Sequence, residues 1–122
     1  MRYGLAAAAL VAMLGAGPAL AQGDPAAGKT AFNKCAACHA VTPGTNKIGP
    51  TMHGVVGRKA AAVEGFNYSD AMKAYDVTWT PEELGKYLAA PREVVKGTKM
   101  IFVGSKDDTD RSNVIAYLET LK

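Results

Sequence analysis

Long apolar runs are nearly missing from this chain of 122 residues. The one such stretch, Leu5 to Leu14, lies at the start, and nothing after it approaches the ~18 consecutive apolar residues that a membrane-spanning helix needs. No membrane anchor is expected. Strand-like alternation, internal repeats and linkers are missing too, which leaves an all-α domain as the default. Cysteine and histidine are scarce, with two of each. Cys35, Cys38, His39 and His53 crowd into one short segment without finger spacing, so a structural zinc site fits poorly. A thioredoxin-like dithiol fits no better without a βαβ pattern around it. A structural disulfide between cysteines so close is equally weak. Net charge is small as well, formally +3, and one of those positive charges, Arg2, stands in the N-terminal leader described next. That is too mild for a nucleic-acid binder.

What is there begins with an export signal. Arg2 makes a positive start, Leu5 to Leu14 is the apolar stretch, and Ala19-Leu20-Ala21 is an A-x-A cleavage site. Residues 1–21 are expected to be removed, leaving residues 22–122 as one small domain.

The motif that carries chemistry is Cys35-Ala36-Ala37-Cys38-His39. Cys-x-x-Cys-His is the pattern by which a haem is fixed covalently to a polypeptide. Two intervening residues let both sulfurs reach the vinyl groups on one edge of the porphyrin, and the next residue then falls beneath the iron. His39 is thereby placed as one axial ligand, and the choice of sixth ligand decides what the haem does. Since c-type haem is attached after export in bacteria, leader and motif predict the same compartment, the periplasm.

The rest of the chain reads as short helices and wrapping loop. Asp24-Pro25 caps and opens a helix to about Lys34, which delivers Cys35. Glycines punctuate the segment from His39 to Phe66, which reads as loop wrapped around the haem. Ser69 caps a short helix to about Tyr75. Thr80-Pro81-Glu82-Glu83 is a capping box opening another helix that Pro91 ends, after which loop resumes. Thr109 opens a final helix whose stripe of Val114, Ile115, Leu118 and Leu121 should pack on the first. So small a domain is marginal for burying a core. Phe32, Met52, Leu84, Leu88, Phe102 and Leu118 are expected to find a common surface only on the haem.

Candidates for the sixth ligand are Met52, Met72, Met100, His53 and the lysines. Met52 lies close behind His39, and Met72 sits in a helical pattern where a methionine is most often core. Met100 stands in loop, far enough along the chain to have crossed to the other haem face. It is favoured, with the others still open. Lys34, Lys47, Arg92, Lys96 and Lys99 flank segments that must approach the haem, whereas Asp107, Asp108 and Asp110 cluster elsewhere, so a charge dipole is expected.

Many separate stretches also match one family in order. They include Phe32, Cys35 to His39, Gly49-Pro50, His53-Gly54, Gly57-Arg58, Gly65 to Ala71, Trp79, Tyr87-Leu88, Gly97 to Phe102 and Ala116-Tyr117-Leu118. The chain resembles the class I cytochromes c, most nearly the small bacterial periplasmic cytochromes c2, which look like mitochondrial cytochrome c. The resemblance implies a small cytochrome c fold of four to five helices and loops around one haem c bound through Cys35 and Cys38. It implies His39 and Met100 as iron ligands, with the Pro50 carbonyl on the His39 ring. Arg58, Tyr68 and Trp79 resemble the residues that bond or neutralise the haem propionates. Tyr87 and Thr98 resemble the hydrogen-bonding pair near the methionine sulfur, while Met72 stands where many relatives have asparagine, which would alter the buried-water network there.

The function so implied is that of a diffusible, monomeric one-electron carrier and not an enzyme. Its partners would be redox complexes: a bc1-type donor and an oxidase, reaction centre or dehydrogenase as acceptor. They would dock at a haem edge ringed by Lys34, Lys47, Lys96 and Lys99. A haem enzyme or gas sensor with a labile sixth ligand is the alternative.

Overall fold

The computed structural model describes residues 23–122, so the expected leader lies outside the described residues. Among the described residues five α-helices follow one another: α1 (Pro25–Ala31), α2 (Asp70–Ala74), α3 (Pro81–Ala89), α4 (Pro91–Val94) and α5 (Asp108–Glu119). No strand occurs among the described residues, only an isolated antiparallel bridge between Lys59 and Thr78.

Local chemistry accounts for each start. Asp24 caps α1 by accepting the Ala26 N–H at 2.9 Å, with Pro25 at the first helical position where its missing N–H is harmless. The expected single helix to Lys34 is instead α1 plus one 3-10 turn, Phe32–Lys34. That tightening draws the Cys35 N–H onto the Phe32 carbonyl at 2.7 Å. Ser69 caps α2 through the Met72 N–H. The capping box of α3 is half made, because Thr80 Oγ1 accepts the Glu83 N–H at 3.2 Å while the Glu83 carboxylate turns away to accept the Tyr75 hydroxyl at 3.0 Å.

Two further expectations need correction. Pro91 does end α3, but loop does not resume: the extended backbone of Ala90 breaks the helix and Pro91 opens α4 as its first residue. The last helix begins at Asp108 and not Thr109, since Asp107 takes the cap by accepting the Asp110 N–H at 2.9 Å.

α1 and α5 cross with almost no space between them. A Cβ on Gly28 would collide with the Asn113 carbonyl of α5, so only glycine allows this approach, and Phe32 packs on Tyr117 with ring centroids 5.5 Å apart. The core comprises Phe32, Val55, Met72, Trp79, Leu84, Tyr87, Val95, Val114 and Leu118. Of the six residues expected to need the haem as a surface, Phe32, Leu84 and Leu118 are buried here, whereas Met52, Leu88 and Phe102 are only half-buried.

The loop from His39 to Phe66 is held by its neighbours. Gly57–Ala60 lies antiparallel to Val77–Trp79 through bonds of 2.8 Å from Gly57 N–H to the Trp79 carbonyl, from Trp79 N–H to Arg58 and from Ala60 N–H to Val77. Just beyond, Ala61 has φ 60° without being glycine. This left-handed conformation strains an L-residue by roughly 1–2 kcal/mol. Ala61→Gly should therefore raise unfolding stability by about 0.5–1 kcal/mol, part of the relief being offset by unfolded-chain entropy. Denaturant melting of the two holoproteins measures it, and a lower midpoint for the glycine variant would refute the strain.

Candidate haem site

The attachment turn continues directly from the 3-10 segment. The Cys38 and His39 N–H groups both bond the Cys35 carbonyl, at 3.0 and 2.9 Å, so the turn is closed on itself. Both cysteine side chains are half-buried. Burial pushes the Cys35 thiol above its ordinary range, partly opposed by the Lys34 ammonium. Beside Cys35 is a narrow apolar gap between Leu88, Phe102 and Val114.

His39 is oriented by its second nitrogen. Nδ1 lies 2.8 Å from the Pro50 carbonyl, which can only accept, so Nδ1 carries the proton and Nε2 keeps its lone pair. Burial holds the imidazole below its ordinary range, against the opposing effect of the Pro50 bond. A neutral ring with a free Nε2 is the form that ligates a metal.

On the later loop, Thr98 Oγ1 lies 2.8 Å from the Tyr87 hydroxyl and accepts the Met100 N–H at 3.3 Å. Tyr87 is buried, and burial raises its phenol above the ordinary range. Met100 is half-buried and packs against the core. Two longer contacts pin the same loop: Arg92 Nη2 donates to the Ile101 carbonyl at 3.3 Å, and Lys99 Nζ donates to the Asn67 carbonyl at 3.3 Å. The other methionines are placed differently. Met72 is buried in α2 behind the Ser69 cap, and Met52 has its N–H on the Ala40 carbonyl, one residue past His39.

Arg58 and Trp79 lie on the antiparallel loop pair, and the Tyr68 phenol lies near enough to Arg58 to act on its charge. Arg58 Nη1 donates to the Thr51 and His53 carbonyls at 3.0 and 3.2 Å, while its Nε is buried without a partner. Burial lowers its pKa from the ordinary value. The Tyr68 hydroxyl accepts the Val63 N–H at 3.1 Å and keeps its own proton to donate. Trp79 is buried, with tilted ring contacts at centroid distances of 5.2 Å to Tyr87 and 5.9 Å to Tyr75.

These residues suit a haem. An orphaned buried guanidinium N–H is costly, and a haem propionate would satisfy it. Cys35 and Cys38 would take the vinyl groups, and His39 Nε2 and the Met100 sulfur are the candidate iron ligands. Comparison with known proteins decides the family. The profile of the family described as cytochrome c matches residues 25–122. The chain belongs to the cytochrome c family. It is 54% identical over 105 residues to cytochrome c-type cyt cy of Rhodobacter capsulatus, covering 85% of this chain but only 52% of that protein, about half its length. It is 48% identical over 116 residues to cytochrome c2 of Rhodomicrobium vannielii, covering 90% of this chain and 93% of the relative. Among solved structures, cytochrome cH from Methylobacterium extorquens superposes with a TM-score of 0.77 at 45% identity, over 80% of this chain and 99% of that one. The cofactor is accordingly covalently bound haem c, for which Cys35 and Cys38 have the spacing. The chain is an electron carrier by its kinship with cytochromes c2.

Sequence reasoning missed the tethers on its lysines and arginine. Lys47 Nζ donates to the Ala36 carbonyl at 2.7 Å, so it, like Lys99 and Arg92, has a backbone partner. It also missed three exposed apolar side chains: Ile48 at 80%, Ile101 at 80% and Val103 at 73% exposure. Each stands in a loop that carries Pro50 or Met100, and nothing in periodicity flags an apolar residue in a loop.

Proposed function

We propose that this cytochrome is a periplasmic one-electron shuttle with His39 and Met100 on the iron, made with a leader that is cleaved after Ala21. When bound, the haem supplies a reversible one-electron couple. The observations that support the ligand set are the His39 ring, oriented by Pro50 with Nε2 free, and the main chain of Met100, held through Thr98 and Tyr87 in the later loop. The His39 ring and the main chain of the Met100 loop are held by bonds that do not depend on oxidation state, which suits electron transfer with little rearrangement. The thioether favours the ferrous form and raises the potential. With both axial positions filled there is no place for peroxide or oxygen, and this favours a carrier over an enzyme or gas sensor. Arg58, Tyr68 and Trp79 would hold the propionates and keep that edge away from water.

The partners are redox complexes, a bc1-type donor and an oxidase, reaction centre or dehydrogenase, met at the haem edge. Ile48, Ile101 and Val103, exposed beside the lysines, suit an interface that is apolar at its centre and charged at its rim. Redox encounters use interfaces below ~1,200 Å², steered by charge.

Spectra of the purified holoprotein test the ligation. A weak long-wavelength ferric band, the mark of methionine sulfur on iron, is expected, and a high-spin resting spectrum would support the enzyme or sensor reading instead. Docking is tested by transfer to an acidic-faced partner. Lys96→Glu with Lys99→Glu should slow the second-order rate at low salt and flatten its salt dependence, while Lys122→Glu changes little. Equal slowing in both, or a wild-type rate indifferent to salt across a Debye length falling to about 8 Å, would leave these lysines as a solvated face.

A further inference from the structure

Residues 47–50 grip the attachment turn at several points. The Gly49 N–H donates to the Cys38 carbonyl at 2.8 Å, and the Pro50 carbonyl accepts from His39 Nδ1 at 2.8 Å. The Lys47 N–H folds back onto the Gly49 carbonyl at 3.0 Å, and Lys47 Nζ reaches the Ala36 carbonyl, between the two cysteines, at 2.7 Å. One short loop therefore touches the residue between the cysteines, the second cysteine and the histidine.

Gly49 is buried, and its φ lies outside the left-handed region in which Gly44, Gly54 and Gly57 fall. Backbone freedom therefore does not explain the glycine. Space does: a Cβ there would lie 2.6 Å from His39 Nδ1, 2.8 Å from Nε2, and closer still to Cε1. Hydrogen bonds on both sides of Gly49 keep its backbone from retreating. The imidazole thus lies against bare main chain, which acts as a flat wall.

We propose that Gly49 and Lys47 are positioning residues for the His39 imidazole: Gly49 is the wall that sets the plane of the ring, and Lys47 is the strap that holds this wall against the Cys35–Cys38 turn. The proposal rests on His39 being an iron ligand. It gives Lys47 a part in the haem's own support, through the charge-assisted bond from its ammonium to the Ala36 carbonyl. The ring plane matters because the orientation of an axial imidazole directs the unpaired spin of ferric haem over the porphyrin. That distribution is read in the spread of the hyperfine-shifted haem-methyl resonances.

The test uses the oxidised holoprotein alone, so docking cannot contribute. Gly49→Ala should keep covalent haem yet change the methyl spread. Lys47→Met, which keeps the aliphatic stem, should also shift the methyls and speed exchange of the Gly49 amide by about tenfold. Lys47→Arg should restore both readouts toward wild type, and Lys96→Met should alter neither. A wild-type methyl spread in Gly49→Ala, or Lys47→Met behaving like Lys96→Met, would overturn the proposal. Should Gly49→Ala fail to fold, the Lys47 series decides alone. Failure of the underlying reading looks different: wild type itself would then lack the strongly shifted ring signals of an iron-bound histidine, and the strap would fall with it.

Discussion

Met100→Ala should leave haem covalently attached while emptying the sixth position. The long-wavelength ferric band should vanish, added cyanide or imidazole should bind, and the potential should fall by a sizeable fraction of the ~0.8 V that axial ligands span across haem proteins. The size of the effect follows from the loop. Met100 is held through its own N–H on Thr98, and Thr98 through Tyr87, with Arg92 and Lys99 pinning the flanking residues. None of these bonds uses the methionine side chain, so the loop should survive truncation and leave a gap where the sulfur stood. Absorbance spectra and a redox titration read the outcome. Met52 and Met72 are the internal controls, because Met72 is buried in α2 and Met52 is tied beside Ala40. A wild-type spectrum in Met100→Ala would transfer the ligand role to one of them. A gain of peroxide reactivity in the variant would be consistent with the carrier reading, since it is the filled sixth site that keeps the iron from catalysis.

The parts of this structure legible in sequence are those decided within a few residues. Asp24, Ser69 and Thr80 cap their helices because each needs only an N–H two or three positions on. Where two local rules compete the reading slips. Pro91 can stop one helix or start another, and it does both; Asp107 and Thr109 are both good caps, and the carboxylate nearer the start takes the role. The candidate haem site divides the same way. Cys35, Cys38 and His39 announce themselves by spacing and Met100 is favoured by its place in loop far along the chain, whereas the propionate residues needed resemblance to a family, because nothing in their local pattern points to a carboxylate partner. Least legible are pairs joined across long separations. Lys99 with Asn67, Lys47 with Ala36 and Gly49 with the His39 ring depend on where loops lie, and a lysine reads as free surface until its partner is seen.

Replacing Cys35 and Cys38 together with alanine should abolish covalent haem attachment and, with it, the folded state. Helix capping supplies only local order, the α1–α5 crossing joins only the two ends of the chain, and isolated helices this short are marginal in water. Among the nine buried apolar core residues, Trp79 and Tyr87 are themselves expected at the haem, and Met72 is expected beside Tyr87 and Thr98. Leu88 and Phe102 remain half-buried beside Cys35, and Arg58 keeps a buried, unpartnered N–H. Burying each such large side chain stabilises by roughly 1.5–3 kcal/mol, and an unsatisfied buried donor costs about 1–3 kcal/mol. Losing a few of these terms removes most of the ~5–15 kcal/mol that a small domain has. Heme staining of denaturing gels should show no covalent cofactor in the double variant, and far-UV circular dichroism should show a largely unfolded chain. Single Cys35→Ala should be intermediate, with one thioether and a lowered melting temperature. Native-like circular dichroism and a cooperative melt in the haem-free double variant would show that the helices close on their own core, and the haem would then be a guest in a preformed domain.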